Sequence, residues 1–384
     1  MLTDKFLRLQ SFFFHLLGLE LLLDQKQGCR YPWRAICCVL SVASFMPLTI
    51  AFGLRNIQNV DELTDSLCSV LVDFLALCKI GFFLWHYDHF KTLIQRFHGI
   101  LNTEINWTPS EIIVTRHNCR DQFISALYSH CFMLAGLSAC LMSPLSMFRG
   151  YLRTGEMQPE LPFPSLYPWD NKRMINYLFA YLWNVSAALG VALSTICVDT
   201  LFCSLTHNLC ALFKIAQHKM LHFEGNSEEE TSENLVHIFQ LLEKCLDLGN
   251  TLNGYFRPLI FAQFLAASLH LCVLCYQVSA HLMGPEMLFY AAFTTAILSQ
   301  VSIYCFCGSS VDEECQGFEQ AIYESNWLNL LKENPQLVRS LTIVMMRVRK
   351  GCRINGYFFE TNRQTLIKII RTAMSYVTLL RSLA

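Results

Sequence analysis

The sequence predicts an all-α polytopic membrane protein with seven transmembrane helices, a cytoplasmic N-terminus and an extracellular C-terminus. Seven segments are apolar and long enough to cross a bilayer, which takes about 20 residues of helix. Of the 384 residues, 53% are hydrophobic and only 15% are charged, whereas soluble domains carry about 25% charged residues. Lysines and arginines are concentrated on one side of the predicted membrane, and this bias gives the orientation.

Residues 1–32 are predicted to form a cytoplasmic amphipathic segment rather than a cleaved signal peptide. The apolar run 11–23 is interrupted by His15 and Glu20. No small-residue cleavage site follows it, and a signal peptide normally ends at one.

The seven spans are interpreted as helices, because a backbone exposed to lipid must satisfy its own hydrogen bonds. Pro47 and Pro144 lie inside the first and third spans, where they are expected to kink the helix. The predicted spans are 33–54, 67–85, 123–148, 177–204, 258–283, 287–308 and 364–383. The chain thus divides into the N-terminal segment, a six-span unit (33–308), a cytoplasmic anchor segment (309–363) and a last helix (364–384).

Charge sets the orientation of these spans. The N-terminal segment and the connections after spans two, four and six hold 19 lysines and arginines, against 5 in the other connections. Basic connections remain in the cytoplasm. The orientation is therefore opposite to that of a seven-helix G-protein-coupled receptor. The sequon at Asn106 is expected to be cytoplasmic and unglycosylated.

Two cytoplasmic connections contain apolar residues at helical spacing. The first set is Leu235, Ile238, Leu242, Cys245 and Leu252, and the second is Leu330, Leu337, Leu341, Val344 and Met345. An apolar stripe must be buried against something. Packing into a cytoplasmic anchor region is favoured over a helix lying on the membrane surface.

Five segments of the chain resemble one known family. Gly-Tyr-Phe-Phe-Glu (356–360) and Arg-Thr-Ala-Met-Ser-Tyr-Val-Thr-Leu-Leu (371–380) resemble the last-span signature of insect odorant receptors. Leu-Pro-Phe-Pro-Ser-Leu-Tyr-Pro-Trp-Asp (161–170) resembles the second outer loop of a fly-type clade. Cys-Val-Asp-Thr-Leu-Phe (197–202) and Asn-Leu-Cys-Ala-Leu-Phe (208–213) resemble the end of the fourth span.

The resemblance implies an odorant-binding subunit of an odorant-gated, non-selective cation channel in the dendrite membrane of olfactory sensory neurons. It implies a heterotetramer with the odorant receptor co-receptor (Orco), with the seventh helix lining the pore. The odorant, a small volatile ester or alcohol by analogy with the clade, would bind among spans two, three, four and six in their outer half. No cofactor is implied, and the partners besides odorant and co-receptor are membrane lipids.

A mostly apolar pocket with few polar groups is expected for such a ligand. Asp73 could instead pair with a polar neighbour in the bundle, although Lys79 lies too far round the same helix. Aromatic residues near a span end can also form an interfacial belt. The candidate ligand-binding residues are Val70, Asp73, Leu137, Leu141, Tyr181, Asn184, Phe289, Tyr290, Phe293 and Thr294.

The seventh span carries polar residues at three- and four-residue steps, which places them on one face. The hydroxyl stripe begins at Thr361 and suits a hydrated pore, but the same hydroxyls could hydrogen-bond between helices. A second, apolar face could form a gate. The candidate pore-lining residues are Thr365, Ile367, Lys368, Ile370, Arg371, Thr372, Met374 and Ser375. A lysine or arginine facing the lumen would suit a minority subunit beside a co-receptor.

Other functions remain as alternatives or are excluded. A gustatory-type receptor channel and a metabotropic seven-helix receptor are the alternatives; a transporter lacks support because no internal repeat is found. An enzyme is not expected, since the sequence has no H-E-x-x-H, phosphate-loop or G-x-S-x-G motif. The lone pair Cys272 and Cys275 gives no metal site, and the net charge of −1 does not favour nucleic acid.

Overall fold

The structure, a computed structural model, describes residues 6–20, 32–155, 159–171, 173–223, 228–280, 287–327 and 335–383. These described residues form ten helices and one two-stranded antiparallel hairpin. The helices are α1 (Arg8–Leu16), α2 (Pro32–Arg55), α3 (Val60–Trp85), α4 (Tyr87–Glu104), α5 (Thr108–Thr154), α6 (Met174–Leu221), α7 (Glu228–Ala280), α8 (Met287–Glu324), α9 (Pro335–Arg349) and α10 (Arg363–Leu383), and the strands are β1 (Asn355–Gly356) and β2 (Phe359–Glu360).

Six helices, α2, α3, α5, α6, α7 and α8, are long and apolar enough to cross a membrane. Each contains one of the first six predicted spans, so the predicted helical membrane architecture is confirmed. The less apolar α10 has 21 residues and matches the seventh predicted span. Pro47 and Pro144 lie inside α2 and α5, as expected. Residues 281–283, the end of the predicted fifth span, lie outside the described residues.

The helices continue well past the predicted span ends. The helix α7 has 53 residues and starts at Glu228, so Pro258 lies inside it rather than at the start of a span. The helix α8 runs unbroken to Glu324, across the predicted boundary at residue 308. Hydropathy marks where a helix leaves lipid, whereas the helix itself ends only where its hydrogen-bond ladder is interrupted.

The extensions pack against each other, as predicted for the first of the two apolar stripes. Its residues Leu235, Ile238, Leu242, Cys245 and Leu252 are all buried. In the second stripe Leu341 is buried, whereas Leu330 and the side chain of Leu337 lie outside the described parts. A turn with Gly351 at φ +72° follows α9, and glycine adopts this left-handed conformation without steric strain.

The helix α6 is the central element of the bundle. It packs against α2, α3, α5, α7 and α8, and residues 194–213 are all buried. A helix that is apolar on all sides is stable only when surrounded. The smaller of the two cavities described below borders α6 through Ala188, Val191 and Ala192.

The N-terminal helix α1 packs into the bundle and does not lie along its surface. Phe14 and Leu17 are fully buried. The Gln10 side chain donates from Nε2 to the Thr200 carbonyl oxygen of α6 at 3.2 Å. The apolar face of α1 is thus buried against other helices. The rest of the predicted N-terminal segment, residues 1–5 and 21–31, lies outside the described residues.

Candidate functional site

A cavity of about 760 Å³ lies at the end of the bundle where α2 joins α3 and α5 leads towards α6. The walls come from α3, α5, α8, the segment 160–164 and Leu274 of α7. Phe163, Phe289 and Phe293 give it apolar surface, and Ser69 and Ser143 add hydroxyls. Its volume is in the range of small-molecule binding sites.

A smaller cavity of about 50 Å³ lies next to the first and further into the bundle. Both cavities are lined by Ser69, Phe163 and Phe293, so they share a wall. The helices α2 and α6 contribute to the smaller one through residues such as Phe45 and Val191. Its lining includes Asp73, whose side chain is 5% exposed.

The segment that closes the larger cavity is held by Asn184 of α6. The Asn184 Oδ1 atom accepts a hydrogen bond from the Phe163 backbone N–H at 3.1 Å. Its Nδ2 donates to the hydroxyls of Tyr167 at 3.0 Å and Ser165 at 3.3 Å. The Leu166 backbone N–H also donates to the Leu48 carbonyl oxygen of α2 at 3.0 Å. An irregular segment at this depth needs such partners for its backbone.

The mouth of the larger cavity is rich in carboxylates. Its lining contains four acidic residues (Asp61, Glu62, Asp65 and Glu160) and one arginine, Arg149. The Tyr290 hydroxyl donates to Asp65 Oδ1 at 2.8 Å and so ties α8 to α3. The field at the mouth is therefore negative.

A buried polar cluster lies one to two helical turns beyond the smaller cavity. The Asp199 carboxylate of α6 forms an ion pair with Lys79 of α3 at 2.7 Å, and both side chains are at most 1% exposed. Asp199 also accepts hydrogen bonds from Tyr128 (2.6 Å), Gln300 (2.7 Å) and Tyr304 (2.7 Å). One carboxylate thus joins α3, α5, α6 and α8.

The start of α10 is fixed by capping and by contacts with α8. Asn362 caps the helix: its Oδ1 accepts the Thr365 backbone N–H at 2.8 Å. The Arg363 backbone N–H donates to the Ser309 hydroxyl at 3.2 Å, and its guanidinium lies 3.1 Å from Glu313. Thr361 is buried before the helix and donates to the Ile354 carbonyl oxygen at 2.6 Å. The sequence analysis placed Thr361 at the start of the hydroxyl stripe. This placement is wrong, because α10 starts after Thr361.

The helix α10 packs on α7 and α8 and leaves one side uncovered in the single chain. Ile369 and Ala373 are buried against the bundle. Most pore candidates lie on the exposed side, namely Ile367, Lys368, Ile370, Arg371, Thr372, Met374 and Ser375. Thr365 is half-buried, and its hydroxyl donates to Asn362 Oδ1 at 3.0 Å.

Comparison with known proteins places the chain in a family. Residues 59–374 match the family model described as "7tm Odorant receptor". The chain belongs to the odorant receptor family. This receptor is 69% identical over 369 residues to putative odorant receptor 98b of Drosophila melanogaster, which covers 96% of each chain. It is 39% identical over 383 residues to odorant receptor 47a of the same fly, which covers 99% of each.

The fold of the receptor is also found in a solved structure. Olfactory receptor OR5 from Machilis hrabei, in complex with eugenol, matches with a TM-score of 0.82 over 99% of this chain and 98% of that one. The sequence identity is 13%, so the match shows the shared fold. The receptor is therefore a multi-pass membrane protein, and its relatives are receptors rather than enzymes.

Four of the ten candidate ligand-binding residues line the receptor's cavities. Phe289, Tyr290 and Phe293 of α8 line the larger cavity, and Phe293 and Asp73 line the smaller one. Asp73 does not pair with Lys79, which is bound to Asp199 instead.

The other six candidates lie elsewhere. Leu137 and Leu141 are 51% and 67% exposed, on the outer face of α5. Tyr181 donates to the Cys140 carbonyl oxygen at 3.0 Å, and Thr294 donates to the Tyr290 carbonyl oxygen at 2.7 Å. Val70 is half-buried beside the cavities but lines neither, and Asn184 holds the closing segment as described above.

The lining of α5 was the main feature that sequence reasoning missed. Its main cavity-facing row is Phe132, Ala135, Gly136, Ala139, Met142, Ser143, Ser146 and Arg149, and Leu145 and Gly150 also line the larger cavity. The row recurs at three- and four-residue steps, whereas Leu137 and Leu141 lie on the adjacent face of the same helix. The small residues in this row were the available signal, because large apolar residues fit lipid as well as they fit a protein interior.

The described residues contain one group of potential metal ligands, formed by Cys203, His207 and Cys307. Their ligand atoms lie within 4.8 Å of one another, and all three residues are buried between α6 and α8. Two thiols and an imidazole can hold Zn²⁺. The side chains already contact each other: the two sulfur atoms are 3.8 Å apart, and the Cys203 Sγ atom lies 3.7 Å from His207 Nδ1.

Proposed function

We propose that this receptor is the odorant-binding subunit of a heteromeric, odorant-gated, non-selective cation channel in the dendrite membrane of olfactory sensory neurons. Its partner in the proposed tetramer is the odorant receptor co-receptor, and its ligand is a small volatile molecule. The observation that carries this proposal is the cavity of about 760 Å³, whose walls include α7 and α8, the two helices on which α10 packs.

The chemistry of the cavity suits a small, mainly apolar ligand. Three phenylalanines, Phe163, Phe289 and Phe293, supply dispersion contacts. Ser69, Ser143 and the charged side chains described above supply polar groups. Binding in such a site derives mainly from burial of apolar surface, about 25 cal/mol per Å². We therefore expect modest affinity and tolerance of related ligands.

The proposed coupling runs from α8 to α10. Phe289, Tyr290 and Phe293 line the cavity at one end of α8, and Ser309 and Glu313 hold Arg363 at the start of α10 further along the same helix. A ligand favours the open state only by its difference in affinity for the two states. A tilt of α8 that improves the fit of the odorant would also move the first turn of α10, because Arg363 is bound to α8.

In this proposal the exposed side of α10 faces the lumen and neighbouring subunits. Lys368 and Arg371 place positive charge on this side, and positive charge opposes cation conduction. The subunit is thus suited to contribute a minority of the pore beside the co-receptor.

Co-expression with the co-receptor, followed by whole-cell recording with a volatile panel, tests the proposed function. We expect odorant-evoked cation current only when both subunits are present. Current that is independent of the co-receptor, or silence despite surface expression of both, would contradict the proposal. A gustatory-type channel would give the first result.

Charge on α10 tests the pore contribution. Lys368→Gln is expected to raise the permeability of Ca²⁺ relative to Na⁺, because it removes a repulsive charge from the lumen. Arg349→Gln is the matched control, since Arg349 is exposed on α9, outside the proposed pore. Equal permeability ratios in wild type and Lys368→Gln would count against lumen exposure of this face.

A further inference from the structure

Asp73 has an unsatisfied carboxylate oxygen at the boundary of the cavities. Its side chain is 5% exposed, and Oδ2 has no hydrogen-bond partner among the described residues. Lys79, the basic residue nearest to it along α3, is bound to Asp199 at 2.7 Å. Leaving a buried polar atom unpaired costs about 1–3 kcal/mol, so a group that pairs with it gains in affinity.

The surroundings of Asp73 provide little else for a polar ligand. The smaller cavity is lined by the rings of Phe45, Phe132, Phe163 and Phe293 together with aliphatic residues. Ser69 lies on the same wall, but its hydroxyl already donates to the Asp65 carbonyl oxygen at 3.2 Å. The carboxyl group is thus the polar group that distinguishes one small ligand from another at this position.

We propose that Asp73 binds the headgroup of the odorant and selects molecules with a hydrogen-bond donor, a hydroxyl or an amine, over esters and ethers. This inference rests on the proposed function and specifies its ligand class. An ionised carboxylate accepts a hydrogen bond from an O–H or N–H but has no proton to donate to an ester or ether, which offer acceptors only. A protonated carboxyl group would also donate to those acceptors, so the preference requires the ionised form of Asp73.

The two cavities set the orientation of such a ligand. A cavity of about 50 Å³ has room for a headgroup of a few heavy atoms. The adjoining cavity of about 760 Å³ accommodates the apolar remainder. Phe163 and Phe293 border both cavities, so they flank the point where the chain of the ligand passes from one to the other.

The test uses isomeric alcohol and ether pairs on the full receptor co-expressed with the co-receptor. The pairs are 1-butanol with methyl propyl ether, 1-hexanol with methyl pentyl ether, and 1-octanol with methyl heptyl ether, with hexylamine and hexyl acetate added. Within a pair the heavy-atom count is the same and only the donor differs. For the best pair we expect a half-maximal concentration about tenfold lower for the alcohol, the effect of one buried hydrogen bond.

Substitution of Asp73 should remove this preference. Asp73→Leu has similar volume and leaves no buried polar atom, so folding should be preserved. The ratio of the alcohol's potency to the ether's potency (the alcohol-to-ether ratio), about ten in the wild type, is expected to fall to about one. Asp73→Asn retains an acceptor and should keep part of the preference. Asp247→Leu is the matched control; this aspartate is 61% exposed and lines neither cavity, so the ratio should stay at the wild-type value.

The outcomes separate the two proposals. A wild-type receptor that responds equally to both members of every pair, or a preference that survives in Asp73→Leu, overturns the role of Asp73 while leaving the channel function intact. Silence to every compound contradicts both. A lower half-maximal concentration for hexylamine than for 1-hexanol identifies the amine as the donor that the site selects, and the reverse identifies the hydroxyl.

Discussion

Buried polar side chains have three different roles in this receptor. Asp199 is saturated with partners and joins four helices. Asn184 uses its amide group to hold the segment that contains Phe163 and Tyr167. Asp73 lacks a partner at Oδ2 and borders a cavity. A polar group in a low-dielectric interior is costly unless it is paired, so the number of partners indicates which of the three stabilises the fold and which is available to a ligand.

The Asp199 cluster should dominate the stability of the bundle. Asp199→Leu leaves Lys79 buried without its counter-ion and is expected to cost about 3–5 kcal/mol. The double variant Lys79→Met/Asp199→Leu should cost less than the sum of the single variants, because no charge then remains unpaired. Apparent melting temperatures of the detergent-solubilised receptor measure the cycle.

An exposed ion pair provides the control for this cycle. The side chains of Arg96 and Asp247 are 42% and 61% exposed and lie 2.5 Å apart. Asp247→Leu should cost less than about 1 kcal/mol. A destabilisation at Asp199 no larger than that at Asp247 would show that the buried cluster does not hold the helices together.

Asn184 should act on odorant sensitivity without contacting the odorant. Asn184→Leu removes the hydrogen bond to the Phe163 N–H and so loosens a wall of both cavities. Half-maximal concentrations are expected to rise about three- to tenfold for all ligands, with the alcohol-to-ether ratio unchanged. Asn176→Leu is the control, since its contact to the Asp170 carbonyl oxygen is exposed; equal shifts in both variants would argue against a positioning role.

At the scale of elements, the close approach between α8 and the start of α10 is the key contact. Gly308 packs directly on Thr361, so a Cβ atom at this position would overlap the Thr361 side chain and backbone. The hairpin before α10 is equally tight, because a Cβ on Gly356 would lie 2.7 Å from the Phe261 backbone nitrogen. These contacts hold the segment before α10 tightly against α8 and α7.

Gly308→Ala is expected to separate α8 from α10 and to reduce odorant-evoked current strongly. Overpacking of this kind costs about 1–3 kcal/mol. Gly254→Ala is the matched control, since a Cβ there meets nothing within 4 Å and alanine favours the helix by about 0.5–1 kcal/mol. Surface labelling with current recording measures both variants. Wild-type current in Gly308→Ala would show that the contact has no part in gating.

At the scale of the whole molecule, the orientation predicted from charge can be tested directly. An epitope placed after Ala384 should be labelled on intact cells, and one before Met1 only after permeabilisation, because basic connections stay in the cytoplasm. The sequon at Asn106 should stay unglycosylated, which a mobility shift with glycosidase would check. Labelling of the N-terminal epitope on intact cells would contradict the orientation.

The membrane architecture was predictable because hydropathy and charge are local properties. The helices α2, α3 and α5–α8 are each long and apolar enough to cross a bilayer. A segment that is exposed to lipid must form a helix, because its backbone groups can then hydrogen-bond within the segment. Helix ends were less predictable, as α7 and α8 show, because the polar extensions are stabilised by packing on each other. That packing depends on residues distant in sequence.

The site was only partly predictable for a geometric reason. Asp73 and the aromatic residues of α8 could be named from the sequence because few residues of their type lie at that depth. The inward face of α5 could not be named, since Leu137 and the row through Ala135 and Ala139 differ only in rotation about the helix axis. The sequence by itself indicated which segments enter the membrane and that two acids, Asp73 and Asp199, lie within them. Only the tertiary structure decided which acid pairs with Lys79 and which keeps an unpartnered oxygen beside a cavity, because that choice depends on which helices become neighbours.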